Sequence, residues 1–190
     1  MSSHHIVREN QEPALLIEDL FLVGEEDFGQ LLEWSPTIVI EEKSIDILEA
    51  RGYKFDIVFT QGSINQAQEN LKVITYQTDF LRSAIEYLID HQYKAVNIVT
   101  DQIDIGLYIP YLDQMNIALF SKGMRYFFVK TGFTKWKPKG EEIQVDGQGQ
   151  AIAHSGLKRV TDKSYQTEKD GLFVLEFSHS KYILIGEKTS

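Results

Sequence analysis

Apolar residues along the first two thirds of the chain come in short β-branched runs separated by stretches of helical period. Ile57, Val58 and Phe59 form one such run, and Val73 with Ile74 forms another. Each empties into polar residues, Thr60-Gln61-Gly62-Ser63 and Thr75-Tyr76-Gln77-Thr78, as a buried strand does at its carboxyl end. From Phe80 the period changes. Phe80, Ala84, Tyr87 and Leu88 fall at i, i+4, i+7 and i+8 on one face of a helix, and Thr78 or Asp79 can cap its first turn.

The same pattern predicts a strand over 37–40, a helix over 44–51 capped by Ser44 and stopped at Gly52, and a strand over 55–59. It continues with a helix over 64–70, a strand over 72–74, a helix over 79–91 and a strand over 95–99. Upstream, 14–23 is apolar with acidic interruptions at Glu18 and Asp19, and 25–32 suits a short amphipathic helix through Phe28, Leu31 and Leu32. Downstream come a helix over 103–113, broken or bent at Pro110, and a strand over 115–120, with Ser121-Lys122-Gly123 closing the layer. Strands and helices alternating at this interval form parallel sheets, which bind ligands beyond the carboxyl ends of their strands.

After Gly123 short β-rich runs at 124–130, 142–145, 151–153, 172–177 and 182–185 are separated by Gly, Pro, Asp and Ser turns. That pattern predicts an antiparallel sandwich or small barrel. Polar residues 1–13 read as a flexible arm ahead of an α/β domain over 14–123 and an all-β domain over 124–190.

Composition narrows the chemistry. With 190 residues, 43% hydrophobic and 25% charged, the chain suits a soluble globular protein with one sizeable core or two small ones. A formal charge of -9 argues against nonspecific binding to nucleic acid or anionic membrane, both of which need surplus Lys and Arg. The absence of cysteine removes disulfides, thiolate nucleophiles and zinc-thiolate sites. Apolar runs fall short of a membrane span, and Met1-Ser2-Ser3-His4-His5 lacks a signal-peptide core, so a cytoplasmic protein is expected. His4 and His5 supply no third metal ligand, and His91, His154 and His179 are scattered.

Two segments carry a resemblance: Asp56-Ile57-Val58 leading to Ser63-Ile64, and Thr78-Asp79-Phe80-x-Arg82-x-Ala84-Ile85-x-Tyr87-Leu88. They resemble the thiamine pyrophosphokinase family, which transfers a pyrophosphoryl group from ATP to thiamine, giving thiamine diphosphate and AMP. Ser155-Gly156-Leu157-Lys158, through Asp170-Gly171-Leu172-Phe173-Val174-Leu175-Glu176, is similar to the family's thiamine-binding sandwich. The likeness covers most of 35–186 and is near-verbatim only at 78–88 and 156–158. It implies an α/β fold class, a parallel-sheet N-terminal domain followed by a C-terminal antiparallel β-sandwich. It also implies Mg²⁺ and ATP as cofactors, thiamine as substrate, and a homodimer with thiamine between the sandwich of one subunit and the α/β site of the other. On this likeness Asp79 is catalytic, Thr78, Arg82, Thr60, Gln61 and Ser63 bind nucleotide, and Ser164 and Tyr165 bind substrate.

Several motif positions depart from the family. Where the family has Gly-Asp-Phe-Asp-Ser this chain has Phe59-Thr60-Gln61-Gly62-Ser63, which replaces both metal-binding aspartates, and Tyr76 stands in place of a further one. Asp79 is the acid retained in these motifs, and a single carboxylate is a poor Mg²⁺ site, so no metal ligand set is assigned. The family's Asp-Gly-Gly becomes Glu41-Glu42-Lys43 after Ile40, whose bulk and negative charge repel a triphosphate; its Gly-Gly-Arg-x-Asp-His becomes Asp101-Gln102-Ile103-Asp104-Ile105-Gly106. Ser164-Tyr165 stands where the family has Ser-Asn. Catalysis is therefore expected to be weakened or lost, the alternative being a non-catalytic small-molecule-binding or regulatory homodimer on the same scaffold.

Each candidate has a plain structural role as well. Asp79 suits a helix cap, Arg82 a solvated charge, and Thr60, Gln61 and Ser63 a strand-to-helix turn. Between Lys122 and Lys139, cations at 122, 125, 130, 135, 137 and 139 interleave with Tyr126, Phe127, Phe128, Phe133 and Trp136. That mixture serves single-stranded nucleic acid, but in an acidic chain it reads as an edge hairpin with aromatics inward and lysines outward, and no nucleic-acid partner is expected.

Overall fold

Six runs of mainly apolar residues form parallel strands: β1 (Ala14–Ile17), β2 (Ile38–Glu41), β3 (Ile57–Thr60), β4 (Lys72–Thr75), β5 (Ala95–Val99) and β6 (Asn116–Ser121). Their spatial order is β6-β5-β1-β2-β3-β4. The computed structural model describes residues 12–33, 35, 37–63 and 71–189. It divides into two units, one of Met1–Gln102 with Pro110–Lys122 and one of Ile103–Ile109 with Gly123–Ser190.

In the first unit β1 is an interior strand, with all four residues at 0% exposure. No strand is predicted from the sequence over 14–17, because Ala14, Leu15 and Leu16 are not β-branched and the apolar stretch continues past Ile17 to Val23. Residues that alternate along a strand divide between the two faces of the sheet. Val58 packs with Leu15, Ile17, Ile40 and the helix residues Phe28, Leu31 and Leu48. Phe59 turns the other way, its ring 5.7 Å from that of Phe80 and 5.9 Å from that of Tyr87.

Helix α1 (Glu25–Glu33) supplies Phe28 and Leu31, and α2 (Ile45–Ala50) supplies Leu48. Ser44 does not cap α2 as predicted. It is helical itself, makes no side-chain cap bond, and ends a 3-10 turn, Glu42–Ser44, that runs into the helix. Gly52, at φ +72°, does end α2, donating to Glu49 O at 2.9 Å. Helix α3 (Phe80–Asp90) buries Phe80, Leu81, Ala84, Ile85 and Leu88, and Asp79 caps it by accepting the Arg82 N–H at 2.8 Å. The predicted helix over 64–70 and nearly all of the predicted arm lie outside the described residues.

Only a single helical turn forms within 103–113: α4 (Ile105–Tyr108), capped by Asp104. Pro110 has no N–H with which to extend the ladder. This turn belongs to the second unit, where the buried ring of Tyr108 lies 5.5 Å from that of Phe128.

The second unit is a β-sandwich. Its strands are β7 (Met124–Val129), β8 (Phe133–Lys137), β9 (Glu142–Asp146), β10 (Ala153–Ser155), β11 (Leu157–Arg159), β12 (Ser164–Thr167), β13 (Gly171–Glu176) and β14 (Ile183–Lys188). They pair antiparallel in the orders β11-β12-β9-β14-β7 and β10-β13-β8, around a core that includes Val129, Ile143, Val145, Tyr165, Phe173, Leu175, Ile183 and Ile185. The polar strands β11 and β12 lie in a stretch to which the pattern assigns no strand.

The hairpin expected between Lys122 and Lys139 does not form, because β7 pairs with β14 and β8 with β13 in the other sheet; Phe127 and Phe133 nevertheless face inward, their rings 5.8 Å apart. The lysines of β8 do not face outward. Lys135 and Lys137 turn to the buried Glu187 while Trp136 is 59% exposed, because side-chain alternation carries 135 and 137 to the same face as Phe133. Among the described residues no helix is long and apolar enough to cross a membrane.

Two glycines with opposite surroundings test this packing. A Cβ on Gly186 of β14 would lie 2.6 Å from Cε1 of Tyr126, whereas one on Gly29 of α1 meets nothing within 4 Å. Gly186→Val should cost about 1–3 kcal/mol by overpacking. Gly29→Ala should stabilise by about 0.5–1 kcal/mol, since glycine inside a helix costs backbone entropy. Urea unfolding measures both.

Candidate functional site

Because the six strands of the first unit are parallel, their carboxyl ends share one edge. There β1 is followed by Glu18, β2 ends in Glu41 ahead of Glu42, β3 ends in Thr60, β4 leads to Tyr76 and β5 to Thr100. The chain leaves β1 toward β2 and leaves β5 toward β6, so the order of the sheet reverses between β1 and β5. Open α/β sheets hold ligands at such a reversal.

Glu18, Glu41 and Glu42 on this edge are each engaged. Glu18 accepts from the Thr100 hydroxyl and, at 2.5 Å, from Gln102 Nε2. Glu42 accepts from the Thr60 hydroxyl, and Glu41 accepts from the Tyr76 hydroxyl and pairs with Lys43 Nζ at 2.6 Å. Thr60 and Thr100 are built alike. Both are almost fully buried, both donate to a glutamate, and both accept the N–H two residues on, from Gly62 at 2.9 Å and from Gln102 at 3.0 Å. The turn that follows each strand is therefore tied to the acid just beyond the end of the neighbouring strand.

The field on this edge is negative, and Tyr76 registers it. Burial, the hydrogen bond to Glu41 and the charges of Glu41, Asp79 and Glu42 together push its pKa up to about 12. It thus stays a neutral donor, aimed at a carboxylate.

The predicted residues fall in several places. Thr60 sits at the strand ends and Asp79 starts α3, where its carboxylate serves as the cap. Gln61, Ser63 and Thr78 are exposed on the turns. Arg82 is exposed too, and its positive charge bears on Tyr111, whose hydroxyl donates to Glu86 at 3.0 Å; burial first, then Glu86, raises the pKa of that tyrosine. Glu18, Thr100 and Gln102 were not singled out as site residues from the sequence. The available signal was an acid or hydroxyl directly after a buried apolar run, Ile17-Glu18 and Val99-Thr100.

Ser164 and Tyr165 lie in the second unit on β12, where adjacent residues face opposite ways. The Ser164 hydroxyl donates to Glu142 at 3.1 Å. Tyr165 is a core residue, 4% exposed, its ring meeting that of His154 edge-on at 5.1 Å. A cavity of about 440 Å³ beside it is lined by Asp146, Gln150, His154, Arg159, Lys163 and Tyr165. Lys163 lies 2.7 Å from Asp146. Burial alone would raise the Asp146 pKa, but hydrogen bonds from Lys163 and from the Gln148 N–H outweigh it and hold the carboxyl below its ordinary range.

The magnesium that the resemblance implies does not fit the first unit's edge. A hard dication needs several oxygen ligands converging on one point. Among the described residues no three acidic or histidine side chains do so, and Glu18, Glu41 and Glu42 are already bound by hydroxyl, amide or ammonium donors that a cation would displace.

Titration of Tyr76 tests this edge. Its pKa rises on folding, so the stabilisation that it contributes is complete below the ordinary tyrosine value of about 10 and is lost as pH climbs from there through about 12. Glu41→Gln should bring the phenolate transition of Tyr76, followed by its ultraviolet absorbance, to lower pH. An unmoved transition would show that Glu41 does not set it.

No family model matches the sequence, and no curated protein matches it. Solved structures do. The crystal structure of thiamine pyrophosphokinase from Bacillus subtilis aligns with a TM-score of 0.64 at 14% identity, covering 94% of this chain and 100% of that one. Thiamin pyrophosphokinase from Candida albicans aligns at 0.68 and 13% identity, covering 95% and 90%, and the yeast enzyme at 0.56 and 9%, covering 97% and 88%. A parallel sheet followed by a β-sandwich, matched along nearly the whole length of these structures, gives this chain the fold of the thiamine pyrophosphokinases.

Proposed function

We propose that this chain is a small-molecule-binding protein on the thiamine pyrophosphokinase scaffold, with pyrophosphoryl transfer weakened or lost. The observation that carries the reading is the engagement of Glu18, Glu41 and Glu42 by Thr100, Gln102, Tyr76, Lys43 and Thr60. Transfer of a pyrophosphoryl group requires a metal to neutralise the triphosphate and align the attacking hydroxyl, and among the described residues no three acidic or histidine side chains converge to hold one. The charges that raise the Tyr76 pKa would also repel a triphosphate. A neutral or cationic molecule that donates hydrogen bonds suits this edge better. Thiamine, a cation, remains a candidate ligand, and a homodimer in the cytoplasm is part of the proposal.

Purified protein incubated with ATP, Mg²⁺ and thiamine should release neither AMP nor thiamine diphosphate above background. Turnover that disappears in the Asp79→Ala variant would overturn the proposal. Calorimetry should find Mg²⁺-dependent ATP binding weak or absent, and micromolar affinity would contradict the reading.

Asp79→Ala should itself cost about 1 kcal/mol of stability, the usual value of a helix cap, measured by urea unfolding.

A further inference from the structure

The inner face of the sandwich is apolar along much of its length and changes character at one end. Alternation along β14 places Ile183, Ile185 and Glu187 on one face, at 0%, 0% and 7% exposure. On β8 the same alternation places Lys135 and Lys137 after Phe133, and Arg125 of β7 stands directly across the ladder from Glu187. Where another apolar layer would follow, the chain supplies one acid and three cations.

Their geometry is close. Lys135 Nζ lies 2.7 and 2.6 Å from the two carboxylate oxygens of Glu187, and Lys137 Nζ lies 3.0 Å from one of them. The Arg125 guanidinium is 3.9 Å away, beyond hydrogen-bond reach of the carboxylate, so Glu187 does not use up its planar fork of donors. Phe127 lies under both neighbours, its ring centre 5.0 Å from Lys135 Nζ and 5.7 Å from Arg125 Cζ.

Glu187 is ionised. Burial alone would raise its pKa, but the hydrogen bonds and charges of Lys135 and Lys137 outweigh that and hold it below the ordinary glutamate range. One negative charge among three positive ones leaves a local surplus of two, in a chain whose formal total is -9.

Lysines at a sheet edge ordinarily extend their ammonium groups into water. These two instead converge on a single carboxylate, with side-chain exposures of only 31% and 18%. Sheltered, unbalanced charge is costly, and more so as water is withdrawn. Each ammonium carries three donors, more than the shared oxygens of Glu187 satisfy, and the arginine fork opens beside them.

We propose that Arg125, Lys135, Lys137 and Glu187 form an oxyanion-binding site at this end of the sandwich, matched to a doubly charged phosphate-type group. Glu187 gathers the two ammonium groups, and the anion cancels the charge that it leaves over. The arrangement lies wholly within the second unit and does not depend on the reading of the strand-end edge in the first. The bound species is either free phosphate or a phosphoryl group on a larger molecule.

The test is calorimetry on the full chain at low, constant ionic strength, titrating inorganic phosphate, glycerol phosphate and, as a singly charged control, chloride. Phosphate should bind saturably and chloride should not. Lys137→Gln and Arg125→Gln should each weaken binding about tenfold or more, and Glu187→Gln should tighten it about tenfold by removing the competing negative charge. An ion cluster with a purely structural role would respond to Glu187→Gln with lost stability and no gain in phosphate affinity. Equal binding of the monoester supports a phosphoryl-group site, and binding of phosphate alone supports a free-ion site. Absence of saturable binding, or binding unchanged in the Lys137→Gln and Arg125→Gln chains, overturns the proposal. Should Glu187→Gln fail to fold, those two variants decide.

Discussion

A carboxylate at the end of a buried strand must find hydrogen-bond donors, and the rest of the first unit is arranged around how that need is met. Glu18, Glu41 and Glu42 find theirs in hydroxyl groups from neighbouring strand ends, supplemented by an amide and an ammonium. Each such bond joins a strand end to another strand end or to the turn beyond it. Strand ends and turns are thereby tied together along the edge where parallel sheets ordinarily receive a ligand. Carboxylates left with outward lone pairs could converge on a metal. Carboxylates answered by threonine and tyrosine hydroxyls act as structural acceptors instead.

The two units show how the same chemistry is decided by surroundings. In the first, burial, then the hydrogen bond to Glu41 and the charges of Glu41, Asp79 and Glu42, raise the pKa of Tyr76. In the second, a single buried acid sits among three cations and its own pKa falls. Glutamate supplies the carboxylate in both. What differs is which partners the topology delivers: neutral hydroxyls at the ends of parallel strands, or ammonium groups from the facing sheet.

Likeness of fold and likeness of site also separate here. The scaffold of the thiamine pyrophosphokinases is matched over more than nine tenths of the chain by structures only 9–14% identical to it. A fold tolerates such divergence because burial asks only that suitable apolar residues recur at suitable intervals. A metal site has no such tolerance, since exchanging an aspartate for a threonine or a glycine removes a ligand outright.

By itself the sequence determined the alternation of strand and helix over much of the first unit, the cap at Asp79, the stop at Gly52 and the change to β-structure after Gly123. Each of these is local, resting on side-chain period or on the conformational preference of one residue. Strand β1 escaped because its Ala-Leu-Leu-Ile run has one β-branched residue and continues into further apolar residues, and β11 and β12 because their polar residues are held by ladder hydrogen bonds rather than by an apolar pattern. Only tertiary structure decided that Glu18 meets Thr100, 82 positions away, that Glu41 meets Tyr76, and that Lys135 and Lys137 turn inward to Glu187. Those outcomes depend on which strands become neighbours and in what register. A one-residue slip of β8 would expose its lysines and bury Trp136, and nothing in the local sequence distinguishes the two arrangements until a facing strand brings its glutamate to the same end.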